Sequence, residues 1–412
     1  MYKETNKLNP ELRFPEFVSE GEWVEKLIEE ITISESSSMA LNKLELKSSG
    51  YPVYGADSIV GYIDEFQQSE KYISIVKDGS GVGRLNLCQS HSSILGTLAC
   101  LKSKNRMQYH LDWIYYLLNI VDFSVYVKGA GIPHIYYSDF KKENVAVPNP
   151  KEQQKIASCL SSLDELIAAH SQKLDALKDH KKGLMQNLFP QEGKTVPKYR
   201  FPEFVNDGEW VEESIQKLLD EKIIVSHLDG NHGALYPRAE EFSKEGIPYI
   251  TANDFISGLV DFTNCKHLPL QRAKKFKKGV AKDGDILFAH NATVGPVSKL
   301  ITDLSFVILS TTATYYRCDN ESLINDFLLF ALSSPFFVRQ YARVMSQSTR
   351  NQVPITTQRK FYLQLPKPEE QQKIASFLSA LDALIAAQAQ KIEQLKLHKK
   401  GLMQGLFPKI ND

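Results

Sequence analysis

Nothing in this sequence announces a self-sufficient catalyst. It has no run of 18 or more apolar residues, so no membrane-spanning helix is expected. Its five cysteines, Cys88, Cys100, Cys159, Cys265 and Cys318, are scattered and form no CxxC pair. That argues against a zinc ribbon or disulfide framework and for a reduced, cytoplasmic setting. The opening MYKETNKLNPELRFPEF has no apolar signal core, which argues against secretion. Neither sign of charge dominates: 49 Lys and Arg face 49 Asp and Glu, so the basic balance common in nucleic-acid binders is missing. A P-loop, HExxH and GxSxG are absent, as is the Asp/Asn-Pro-Pro-aromatic tetrad of adenine methyltransferases. GSGVG at residues 79–83 lacks the spacing and following helix of a dinucleotide site and reads as a turn. The ten histidines are dispersed, and most of them, including His110 and His227, read as surface or core residues. No catalytic residue and no metal ligand are assigned.

What is present is repetition. PNPKEQQKIASCLSSLDELIAAHSQKLDALKDHKKGLMQNLFP occupies residues 148–190. It returns at residues 366–408, offset by 218, with 31 of 43 positions identical. A shorter block, RFPEFVSEGEWVE at residues 13–25, returns as RFPEFVNDGEWVE at residues 200–212, offset by 187. Two similar halves therefore carry two different payloads, and the payloads are where function is expected. The divisions are residues 1–147, 148–190, 191–365 and 366–412: domain, helix, domain, helix.

The long block has a 4-3-4-3 seam. In the first copy Ile156, Leu160, Leu163, Ile167, Leu174 and Leu177 carry it; in the second, Ile374, Leu378, Leu381, Ile385, Ile392 and Leu395. A 3.5-residue period over more than four heptads predicts a coiled-coil helix. Asn149 suits the cap, Pro150 the first turn and Glu152 the capping-box position, and Phe-Pro ends both copies. Each rod would be roughly 55 Å long at about 1.5 Å per residue. Matching seams predict that the two pack on each other, antiparallel, because a whole domain separates them. The second helix lacks the short block that follows the first. The N-terminal copy should fill that place, bringing the chain's two ends together in a pseudo-twofold object.

The payloads read as mixed α+β domains. Residues 51–55, 59–63 and 72–76 look like strands and residues 109–123 like a helix. In the second domain IPYITAND echoes YPVYGADS, GDILFAHNATVG sits where SIVKDGSGVG sat, and QSTRNQVPI where KGAGIPHI sat. The loops carry residues able to read base edges or hold phosphates. Lys77, Ser80, Arg84, Lys128 and His134 stand in the first domain; Lys274, Lys275, His290, Asn291, Arg350, Asn351 and Gln352 stand in the second. Arg suits guanine and Asn or Gln suits adenine by paired hydrogen bonds. Residues 271–282, QRAKKFKKGVAK, carry six cations and no acid: a solvated helix face, or a phosphate-tracking patch.

Together these pieces resemble the specificity subunit of type I restriction-modification enzymes, over nearly the whole chain. The likeness rests on LRFPEF…W (Leu12 to Trp23) and its echo ending at Trp210, and on two Pro-x-Glu-Gln-x-x-Ile openings. The openings are Pro150, Glu152, Gln153, Ile156 and Pro368, Glu370, Gln371, Ile374; YPVYG, DGSGVG and GIPHIY add to the likeness. The resemblance implies two target recognition domains, each reading half of a bipartite site in double-stranded DNA, spaced by conserved helices. It implies partners: two methyltransferase subunits that carry S-adenosylmethionine and methylate adenine, and motor-nuclease subunits that use ATP and Mg2+. This chain itself would hold no cofactor and no catalysis, in a bacterial or archaeal cytoplasm. The competing readings are a coiled-coil scaffold with two protein-binding domains, and a stand-alone nuclease.

Overall fold

The computed structural model describes residues 8–230, 235–347 and 351–408. The chain divides into two compact units, Met1–Ser171 with Gln390–Asp412, and Gln172–Ala389. Each long helix is thus shared: unit 1 holds the start of the first and the end of the second, unit 2 the reverse.

Both long blocks are helices, Pro150–Asn187 and Pro368–Leu406. Asn149 caps the first, its Oδ1 accepting from the Glu152 amide at 3.0 Å. Proline at the first position costs no hydrogen bond there, and Phe-Pro ends both helices as expected. Ile156, Leu160, Ile374, Leu378, Ile392 and Leu395 are buried; Leu163, Ile167, Leu174, Leu177, Leu381 and Ile385 are half-buried, and none is exposed. Within unit 1, Lys399 Nζ meets Asp164 Oδ1 at 2.5 Å. Within unit 2, Lys181 Nζ meets Asp382 Oδ1 at 2.5 Å. The 218-residue offset turns one pair into the other, and each sets the first half of one long helix beside the second half of the other.

The short block closes each unit. In unit 2 the Tyr199 amide donates to Asn187 O at 2.9 Å, the chain folding back on its own helix end. In unit 1 the Leu12 amide donates to Gly405 O at 2.8 Å, although nearly the whole chain lies between them. Trp23 stands edge-on to Phe407 at 6.3 Å, as Trp210 does to Phe189 at 5.8 Å. The expected meeting of the N-terminal segment with the second helix's end is therefore present.

Unit 1 carries a four-stranded sheet in the order Thr32–Ser36, Leu98–Ser103, Tyr72–Val76, Leu85–Cys88. Beside it is a three-stranded one: Ile59–Ile63, Tyr51–Tyr54, Ser93–Ile94. Unit 2 enlarges the plan to six strands and four. Tyr51–Tyr54 and Ile247–Ile250 each take one parallel neighbour, which bears out the echo between YPVYG and IPYIT. The helix expected at residues 109–123 is shorter, Leu111–Leu118, with a separate 3-10 turn at Phe123–Tyr126. In each unit one strand next to the short block pairs with the strand entering the long helix: Val24–Leu27 with Asn144–Val147, and Val211–Ser214 with Tyr362–Leu365.

Candidate nucleic-acid interface

The long helices' opening motif anchors everything else. Arg13 makes a two-pronged ion pair with Glu152, both bonds 2.8 Å, and Glu152 is only 1% exposed. Arg200 grips Glu370 in the same way, at 2.8 and 2.6 Å. These carboxylate bonds raise the pKa of both guanidinium groups above the ordinary arginine value. Glu152 therefore does not close a capping box, as its position suggested. Its oxygens accept from an arginine 139 residues earlier and from Trp23 Nε1 at 3.3 Å, and among the described bonds none runs from the Asn149 amide to them.

The neighbouring glutamine is a clamp. Gln153 Oε1 accepts from the His110 amide at 2.8 Å, and its Nε2 donates to Gln108 O and Pro148 O. Gln371 does the same with the Ile324 amide, Ser322 O and Pro366 O. His110 and Ile324 stand just before the domain helices Leu111–Leu118 and Asn325–Ala331. Each clamp satisfies an otherwise unpaired helix-start amide and ties a domain to the frame.

On that frame each domain presents two adjoining loops. In unit 1 the turn after Tyr72–Val76 meets the loop before Ile135: the Gly79 amide donates to Pro133 O at 2.9 Å, and Ile135 N to Lys77 O at 2.8 Å. Lys77, Ser80, Arg84, Lys128 and His134 are thus gathered on one rim, with Ser80, Arg84 and Lys128 exposed. Its cations are already paired: Arg84 with Asp57, Lys128 with Asp139 at 2.6 Å, and Lys77 with Asp78 at 3.9 Å. The Lys128 bond and the Tyr136 amide hold the Asp139 carboxyl below its usual pKa. Glycine is required here: Gly83 has φ +85°, and an added Cβ would sit 2.9 Å from Phe123 Cβ.

In unit 2 the corresponding loops also adjoin, Ala292 N donating to Asn351 O at 3.0 Å and Val353 N to His290 O at 2.8 Å. Asn291 and Gln352 are half-buried and Asn351 is exposed. Arg350 lies outside the described residues. His290 does not belong on the rim: it is 1% exposed, with Nδ1 3.2 Å from Val353 O. It is the last buried residue of the strand Ile286–Asn291, so it supports the loop from behind. Lys274 and Lys275 are exposed but stand elsewhere, after the single helical turn Leu270–Ala273. The long helix face suggested for residues 271–282 is only that turn, a loop, and the strand Val280–Ala281.

Burial raises the thiol pKa of Cys100 and Cys265 to about 12, so neither is a ready nucleophile. No cluster of three potential metal ligands occurs among the described residues, and no described helix is long and apolar enough to cross a membrane.

A family model described as "Type I restriction modification DNA specificity domain" matches residues 20–179 and 225–397. The chain is 26% identical over 348 residues to the type I restriction enzyme MjaVIII specificity subunit of Methanocaldococcus jannaschii, covering 82% of this chain and 79% of the relative. It is also 26% identical, over 393 residues, to the putative MjaX specificity subunit of the same organism, covering 87% and 86%. Its fold resembles the crystal structure of a type I restriction-modification S subunit from M. genitalium, with TM-score 0.67, 17% identity and coverage of 98% and 100%. A structure from a study of assembly and conformational transition in a type I system aligns with TM-score 0.54, 16% identity and coverage of 92% and 96%.

Proposed function

This chain belongs to the type I restriction-modification DNA specificity family, and from that membership we propose that each of its units reads one half of a bipartite site in double-stranded DNA. Members of this family are specificity subunits, the non-catalytic components of their systems. The observation that carries the proposal is a repeated frame holding unlike rims. The Arg–Glu pair and the glutamine clamp recur nearly bond for bond, while the loop residues differ. Unit 1 offers Ser80, Arg84, Lys128 and His134; unit 2 offers Asn291, Asn351 and Gln352. A constant mount with variable side chains is what two different half-sites require.

Rim cations paired to carboxylates can exchange those partners for phosphates, so a neutral chain can still bind DNA in a salt-dependent way. Methylation and cleavage fall to partners: two methyltransferase subunits carrying S-adenosylmethionine, and motor-nuclease subunits using ATP and Mg2+, in the cytoplasm. The long helices set the distance between half-sites.

The test is an exchange. Replacing residues 213–365 with the matching segment of a relative changes one half-site in the methylome and leaves the other; a change in both halves sinks the proposal. Separately, four residues inserted into both long helices add about 6 Å, close to two base-pair rises of about 3.4 Å. The preferred spacer then grows, and an unchanged spacer removes the helices as its determinant.

A further inference from the structure

The two units differ in one stretch that the frame makes directly comparable. The glutamine clamps equate His110 with Ile324. The rim bonds equate Ile135 with Val353: Ile135 N donates to Lys77 O at 2.8 Å and Val353 N to His290 O at 2.8 Å. Between these anchors unit 2 is longer by four residues. With the extra length this stretch forms the helix Pro335–Ser346, capped by Ser334, where unit 1 has the 3-10 turn Phe123–Tyr126.

That helix covers the strand Tyr362–Leu365. Gln340 Nε2 donates to Tyr362 O at 2.9 Å, and the Tyr362 amide donates to Gln340 Oε1 at 2.8 Å. Phe337 is fully buried, edge-on to Phe361 at 5.6 Å. Arg339 approaches Glu192, just past the first long helix, at 3.9 Å.

In unit 1 the same place is a groove of about 710 Å³. Its floor is Asn144 to Ala146 of the strand Asn144–Val147, the counterpart of Tyr362–Leu365, and no described side chain bonds the Asn144 main chain as Gln340 bonds Tyr362. One wall is the short segment at residues 119–122. The other is the second helix's end, with Lys396, Lys400, Met403, Gln404 and Phe407. Lys178, Lys182, Met185, Gln186 and Phe189 repeat that wall residue for residue on the first helix. The mount is common to both units; the covering helix occurs in one.

We propose that the unit 1 groove is the docking site for a single amphipathic helix of a partner protein, lying as Pro335–Ser346 lies in unit 2. The occupant carries an aromatic or long aliphatic anchor and, three positions on, a side-chain amide for the Asn144 main chain. That is the Phe337–Gln340 spacing on one helix face. It also carries carboxylates toward Lys396 and Lys400; Lys400 has no ion-pair partner among the described residues, and Lys396 meets only Glu393 on its own helix. One site per chain follows, because unit 2 fills its own. The inference does not rest on DNA reading.

The probe is a fluorescein-labelled peptide of residues 334–346, SPFFVRQYARVMS, stapled between the exposed positions 342 and 346 because so short a helix is marginal alone. A second peptide carries Arg339→Glu and Arg343→Glu. Anisotropy titrations use the full chain, with whatever subunits purify with it. The expected result is one saturable site per chain, tighter for the acidic peptide. Ile120→Lys, at an exposed groove position, weakens binding roughly tenfold, about 1.4 kcal/mol. Replacing residues 119–122 with residues 333–340 abolishes binding while leaving salt-dependent DNA binding intact. Absence of saturable binding by both peptides, or binding indifferent to Ile120→Lys, overturns the proposal. Should the graft fail to fold, the Ile120→Lys titration alone decides.

Discussion

Phe140 and Gln358 stand 218 residues apart, at the same point of two similar units, and the interiors around them have opposite chemistry. Phe140 is buried edge-on to Phe123 at 5.0 Å and to Tyr137 at 5.5 Å. Gln358 is equally buried, but its Oε1 accepts from Thr314 Oγ1 at 3.0 Å and Tyr316 Oη at 2.8 Å, and lies 3.1 Å from His227 Nε2. Its Nε2 donates to Val353 O at 2.9 Å, directly behind the rim loop. The strands explain the difference. Lys104 and Asp319 make equivalent bonds, to Ile31 O and Ile223 O, so Leu101 stands where Tyr316 stands and Ala99 where Thr314 stands. The frame is held bond for bond while the readers have diverged down to their cores. An anchored frame lets each loop pair be rebuilt from behind without disturbing its neighbour.

The sharpest way to break the comparison is to exchange the two residues. Phe140→Gln removes an aromatic filling and buries an amide with no partners, costing about 4 kcal/mol. Gln358→Phe strands the Tyr316 hydroxyl and leaves Thr314 Oγ1 only its 3.3 Å bond to Phe288 O, at a similar cost. Hydrogen-exchange mass spectrometry should show each loss in its own unit; loss of protection in both would mean that the units do not hold separate cores.

Next come the anchors. Glu152→Ala and Glu370→Ala each leave a half-buried arginine without its carboxylate, keeping only main-chain carbonyl partners, at a cost of about 3 kcal/mol. Glu152→Ala should be the worse of the two, because Trp23 also donates to Glu152 whereas Trp210 Nε1 has no partner among the described residues. Denaturant midpoints of the two variants measure the order, and the reverse order breaks the argument.

Acid separates the units less strongly. Burial lowers the His227 pKa to about 3, against about 6.5 when unfolded. Below pH 6.5 the unfolded chain takes up a proton that the folded one refuses. This contribution is therefore fully present above pH 6.5 and is lost as pH falls toward 3. Unit 2 should weaken by about 1 kcal/mol per pH unit in that window, and His227→Gln should flatten the slope. Protection of peptides from strand Ile286–Asn291, followed between pH 7 and 5, reads it.

The smallest effect belongs to the helix pairs. Lys399–Asp164 and Lys181–Asp382 are partly exposed, so Lys399→Met or Lys181→Met should cost under about 1 kcal/mol. The Lys399 ammonium lies over the Tyr116 ring as Lys181 lies over Phe330, and unit 1 adds a hydroxyl: Tyr116 Oη donates to Asp164 Oδ2 at 2.7 Å. A double-mutant cycle that finds the two pairs equal would show that this hydroxyl adds nothing.

The long helices were legible because a 3.5-residue period needs no knowledge of partners, and Asn149, Pro150 and the terminal Phe-Pro act locally. Glu152 was misread for the same reason. Capping boxes are local patterns, whereas its actual partner, Arg13, lies in a different block. The clue was that both blocks repeat, so an arginine in one and a glutamate in the other recur together. His290 was misplaced because a histidine beside Asn291 looks like loop chemistry. Its strand, ILFAHN, is buried on both faces, and no alternation betrays which end turns inward. The rim pairings joined residues more than fifty positions apart and became visible only in three dimensions. Gln153 and Gln371 were seen as parts of a motif, but their role as clamps depends on amides that no spacing points to.

The bond from Leu12 to Gly405 has a consequence for synthesis. Unit 2 is one uninterrupted stretch and can close as soon as it leaves the ribosome. Unit 1 is built from two stretches, and the domain that emerges first waits for residues 390–408 before its core is sealed. Birth order and closing order are therefore reversed, and the waiting domain is the one that a stalled or truncated translation product leaves exposed to proteases.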